Sequence, residues 1–115
     1  MKRRALPLDA DRRPAVEALS EALARLGEAE AVRVFLHDLC TPAEIEAMAD
    51  RWAVVPRLLE GHSYRDIHDA TGVSVTTIGR VARCLAEGQG YRLAAGAMGW
   101  GCERLHAAAD SAAHS

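Results

Sequence analysis

The sequence is short of aromatic residues, of long apolar runs and of any cluster that could hold a metal. Two tryptophans, two tyrosines and one phenylalanine make up only 4% of its 115 residues. Half of the residues are hydrophobic, but much of that half is alanine, which buries little area per side chain. One copy has the material for a single domain with a thin core, and association with a second copy is the common remedy. No apolar stretch approaches the length of a membrane span, and the start lacks the hydrophobic segment of a signal peptide. Cys40, Cys84 and Cys102 stand far apart and are odd in number, with no Cys-x-x-Cys and no His-x-x-x-His. That pattern argues against a disulfide framework and a zinc site and fits a reducing cytoplasm. Paired carboxylates, nucleophile–base spacings and phosphate loops are also missing, so catalysis is not expected, nor is a metal or resident cofactor.

The net charge of −2 does not advertise a nucleic-acid partner, but it averages an uneven distribution. Lys2, Arg3, Arg4, Arg12 and Arg13 make residues 1–13 a flexible basic arm, against only Asp9 and Asp11. Such an arm either follows DNA phosphates or a minor groove, or does nothing. The acids lie mainly between Glu17 and Glu60.

Helical periodicity runs through the chain and no strand pattern interrupts it, so the fold class is all-α. Pro14 suits a first helical position, with Asp11 or a neighbour as cap, and Val16, Leu19, Leu23 and Leu26 form an apolar seam up to Gly27. That seam is read as intramolecular packing or as part of a dimer interface. Val32, Phe35, Leu36 and Leu39 form a second stripe. Thr41-Pro42-Ala43-Glu44 has the form of a capping box. The helix it starts carries Ile45, Met48, Ala49, Trp52, Val55 and Leu59 as core, is kinked by Pro56 and ends at Gly61. Ser63 caps a helix from Tyr64 to about Ala70, and Ser74 caps another from Val75 to about Glu87. Residues 94–115 read as a loose Ala- and Gly-rich tail, with a helical turn or two around Glu103 to Ala109.

The segment 63–87 has the layout of a helix-turn-helix within a domain over 14–93. Gly72 supplies the positive φ of the tight turn. Ile67, Val73, Ile78, Val81 and Leu85 are placed to lock the two helices together. Thr76, Arg80 and Arg83 then fall at i, i+4 and i+7 on the outward face, flanked by Thr77 and Gly79. Threonine and arginine suit base edges and phosphates, and Ser74 at the helix N-terminus suits a phosphate. His68 stands where a small residue is usual, as a partly exposed side chain at the DNA boundary. Cys84 reads as buried and inert.

Over Leu36 to Leu93 the chain resembles the trp repressor family, most closely its YerC/YecD branch. The carrying residues are Leu39-Cys-Thr-Pro-Ala-Glu-Ile-Glu-Ala-Met48, Arg51-Trp52, Leu58-Leu-Glu-Gly61, Ser63-Tyr-Arg-Asp-Ile67, Thr71-Gly-Val-Ser74, Thr77-Ile-Gly-Arg-Val-Ala-Arg83 and Gly90-Tyr-Arg-Leu93. The resemblance implies an intertwined helical homodimer binding a palindromic operator in double-stranded DNA. It implies DNA contacts at Arg65, which matches outright, at Val75, a conservative replacement, and at Tyr64, His68, Thr76 and Gly79, which are different residues at contact positions. Thr41, Arg51 and Arg80 match ligand positions of the family's indole pocket. Val81 and Cys84 replace its glycine and serine, so tryptophan is not the expected ligand, and a different small molecule or none is. Arg51 also reads as a surface ion-pair partner and Arg80 as a phosphate contact. The two functions in view are a sequence-specific DNA-binding regulator and a helical protein-interaction module that has lost DNA binding. The acids Asp66 and Asp69 beside Arg65 motivate the second.

Overall fold

A computed structural model describes residues 12–100, and among them every regular element is an α-helix. The helices are α1 (Arg13–Leu26), α2 (Ala29–Leu39), α3 (Pro42–Leu59), α4 (Tyr64–Thr71), α5 (Val75–Glu87) and α6 (Gly90–Ala97). The chain divides into two compact units, residues 1–42 and 43–115.

In the first unit α1 and α2 pack on each other. Pro14 lies in the first turn of α1, but Arg12 is the N-cap residue and makes no side-chain cap bond. Asp11 and most of the basic arm lie outside the described residues. Exposed Glu21–Arg25 and Glu30–Arg33 pairs, at i+4 and i+3, brace the two helices. The hydrogen bonds from Arg33 hold the Glu30 carboxyl below its ordinary range. Its contribution is therefore present above that range and is lost as pH falls through the lowered value. No residue of α1 or α2 is buried: Val16 and Val34 are each half exposed.

In the second unit the core is contiguous. Val54, Val55, Leu58 and Leu59 of α3, Ile67 of α4, Val73 of the turn, Ile78, Val81 and Leu85 of α5 and Ala95 of α6 are buried. Each fully buried valine, leucine or isoleucine is worth about 1.5–3 kcal/mol of transfer energy. The expected stripe on α3 needs correction. Val55 and Leu59 are buried, but Val54 and Leu58 share the core, while Ile45, Met48 and Trp52 are only half buried and Ala49 is exposed. The two adjacent pairs, four residues apart, give α3 a broad buried face at its C-terminal end. There Gly61, at φ 86°, closes the helix with bonds from its own N–H to Leu58 and from the His62 N–H to Arg57.

The tail begins later than the composition implies. Residues 94–97 complete α6, Ala95 is fully buried, and the Trp100 ring stacks on Trp52 at 5.0 Å between centroids. Tyr91 stacks on the same indole at 6.3 Å. One small residue facing the core and one aromatic anchor suffice to order an alanine-rich stretch. Residues 101–115 lie outside the described residues.

Candidate nucleic-acid interface

Two capped helices and a three-residue turn build the motif. Ser63 opens α4 by accepting from the Asp66 N–H at 3.1 Å, and Ser74 opens α5 by accepting from the Thr77 N–H at the same distance. Gly72 takes φ 80° between them, a conformation any Cβ would strain, and its N–H returns to the His68 carbonyl. The turn is held by side chains as well. Thr71 donates its hydroxyl to the Ile67 carbonyl at 2.7 Å and accepts from the Val73 N–H at 3.1 Å. His68 Nδ1 reaches the Val73 carbonyl at 2.8 Å. Ile67, Val73, Ile78, Val81 and Leu85 are all buried, as the spacing requires.

With that stripe inward, α5 turns Val75, Thr76, Arg80 and Arg83 to solvent, with Thr77 and Gly79 half buried beside them. Tyr64, Arg65 and His68 are exposed on α4. The Tyr64 ring crosses to α5 at Gly79, where an added Cβ would lie 3.7 Å from Cε2. Ser74 donates its hydroxyl to Thr77 Oγ1 at 3.0 Å while capping α5, so that hydrogen is already engaged. None of Arg65, Arg80 and Arg83 forms an ion pair with a described residue. The motif thus presents three arginines from a rigid frame.

Of the ligand positions, Arg51 lies half buried on α3 and Arg80 is exposed on α5, while Thr41 belongs to the first unit. The ion-pair reading of Arg51 is not realised with any described residue. Val81 is 1% exposed and part of the core. Cys84 is a correction. It is an exposed thiol beside a shallow apolar groove lined by Trp52, Gly88, Gly90, Tyr91 and Ala94. Val81 and Leu85 take the inward positions of α5, and Cys84, about 100° around the helix from Leu85, falls outside them. Sequence reasoning missed the hydrogen-bonded role of His68 and the packing of Trp100; neither lies on an apolar periodicity that would have flagged it.

Comparison with known proteins bears on this geometry. The family described as Trp repressor protein matches residues 15–94. An uncharacterized protein, YerC of Bacillus subtilis (strain 168), is 37% identical over 83 residues, covering 72% of this chain and 80% of that one. A crystal structure of a TrpR-like protein from Eubacterium eligens ATCC 27750 superposes with a TM-score of 0.70 at 36% identity, covering 76% of this chain and 92% of that one.

Proposed function

Because the chain belongs to the Trp repressor family, in its YerC-like branch, we propose that it is a transcriptional regulator that binds a palindromic operator as a homodimer. The observation that carries the reading is the outward face of α5. Thr76, Arg80 and Arg83 project from a helix whose opposite face is fully buried, with Arg65 beside them on α4. Such a helix fits the major groove, with its first residues on base edges and its arginines on bases and phosphates. The contact set is Tyr64, Arg65, His68, Ser74, Val75, Thr76, Thr77, Gly79, Arg80 and Arg83.

Two copies are needed for a palindromic site, and the first unit supports that step. The α1–α2 pair leaves Val16 and Leu39 about half exposed on its apolar stripes and buries none of its own residues, as a face awaiting a partner does. A small-molecule co-ligand at Arg51 and Arg80 is part of the proposal only with a ligand other than tryptophan, since Val81 and Cys84 stand where the family's indole pocket has glycine and serine. Adding tryptophan therefore leaves operator affinity unchanged in a titration.

Selection of bound sequences from a random duplex pool at two salt concentrations tests the function. The expected product is an inverted repeat with half-sites one or more helical turns apart and steeply salt-dependent affinity. Arg83→Ala lowers the salt slope by about one phosphate contact. Recovery of no motif, together with a stoichiometric protein partner in pull-downs, would establish the interaction module instead.

A further inference from the structure

One titratable side chain closes the helix-turn-helix. His68 stands on the last full turn of α4, and its Nδ1 lies 2.8 Å from the Val73 carbonyl across the turn. A carbonyl oxygen can only accept, so Nδ1 carries the hydrogen. The ring therefore ties α4 to the residue just before Ser74, the cap of α5. In a neutral imidazole one nitrogen donates and the other accepts, so this tie makes Nε2 an acceptor. The residue is exposed, one turn along α4 from Arg65, and Nε2 has no partner among the described residues. The charged groups on the two packed helices are Arg65, Asp66 and Asp69 on α4 and Arg80, Arg83 and Glu87 on α5. None of them forms an ion pair with the ring.

We propose, resting on the DNA-binding reading above, that His68 is a proton-linked phosphate contact, its Nδ1–H holding the turn while Nε2 takes up a proton as DNA binds and donates it to a backbone phosphate. A neutral ring in this tautomer presents a lone pair that a phosphate oxygen repels. Protonation turns the same nitrogen into a charged donor and leaves the Nδ1–H tie intact, because Nδ1–H is present in both forms. The proton comes from solvent and no covalent bond changes. The complex holds one more proton per protomer than the free protein, so raising the pH opposes binding.

The test measures affinity for the tightest duplex recovered from the random pool, at fixed salt, from about pH 6 to about pH 8. As the pH rises the wild type loses affinity, by at most about tenfold per pH unit per protomer. His68→Asn places an amide nitrogen where Nδ1 stands, keeps the tie and has no Nε2, so its affinity is flat with pH and its fold intact. His68→Gln reaches the Nε2 position, gives up the tie and does not restore the slope. His62→Asn, changed in the histidine that neighbours Glu60 at 3.5 Å, keeps the wild-type slope. Imidazole nitrogen NMR of the free protein supplies a readout without DNA: the tautomer of the neutral His68 ring carries its hydrogen on Nδ1. An Nε2–H tautomer, a pH-flat wild type or an undiminished slope in His68→Asn overturns the inference. A pool that yields no duplex at any pH overturns the regulator reading and this contact with it. A duplex bound with pH-flat affinity overturns this inference and leaves the regulator reading standing.

Discussion

Thr71 uses its single hydroxyl twice, donating to the Ile67 carbonyl and accepting from the Val73 N–H. Valine has the same shape without the hydroxyl, so Thr71→Val leaves the amide of buried Val73 without this partner. The expected cost is about 1–3 kcal/mol, read as a lower urea midpoint with an unchanged slope. Gly79 works in the opposite direction. It lies within α5 at ordinary helical φ, and a Cβ there would meet Tyr64 Cε2 at 3.7 Å, an ordinary contact. Gly79→Ala should therefore stabilise the helix by about 0.5–1 kcal/mol and raise the melting temperature. Since the fold improves in that variant, a simultaneous loss of operator affinity would report crowding at the proposed DNA surface, by the methyl itself or by the Tyr64 ring it touches. A lowered melting temperature would show that the Tyr64 ring cannot yield the space.

At the scale of elements, α5 is held at both ends by different chemistry. Ser74 caps its start, and at its end Arg92 of α6 donates from Nε to the Leu85 carbonyl at 3.0 Å and from Nη2 to the Ala86 carbonyl. A cation on the last carbonyls satisfies acceptors the helix leaves open and complements its dipole. Arg92→Met keeps the stem and removes both bonds, and should cost about 1.5–3 kcal/mol. Hydrogen exchange in the last turn of α5 and in α6 should quicken, while α4 stays protected. The helices themselves are legible in the sequence, because caps and breakers are local: Ser63, Gly72 and Ser74 act on residues within four positions. The same holds for the stripe of Ile67, Ile78, Val81 and Leu85. What periodicity could not show depends on distant partners. Trp100 is ordered by Trp52, 48 positions earlier in the chain, and Ala95 counts as core only because α6 folds back on α5. The exposure of Cys84 and the second bond of His68 likewise depend on how neighbouring elements are rotated.

At the scale of the molecule the question is what covers the apolar faces that the chain leaves open. Among the described residues the ten buried hydrophobic side chains lie between Val54 and Ala95, and α1 and α2 contribute none of them. Yet Val16, Leu19 and Leu39 are 38–50% exposed on the apolar seams of these helices. Keeping such faces in water forfeits about 25 cal/mol for each Å² that a partner would cover. In the regulator proposed above, a homodimer through this unit would cover the exposed seam and bring two α5 helices to one inverted repeat. Val16→Asp separates the two roles, because it sets a carboxylate on the seam and leaves the α4–α5 motif untouched. Burying that charge unpaired in an apolar interface costs several kcal/mol, and each 1.4 kcal/mol is about tenfold in the dimer constant. Sedimentation should then show the wild type as a dimer and the variant as a monomer at the same concentration. Its affinity for an inverted repeat should fall to that for a single half-site, with the tryptophan fluorescence of Trp52 and Trp100 unchanged. A variant that stays dimeric and binds the repeat normally would place the interface elsewhere and leave the α1–α2 seam as packing within one chain.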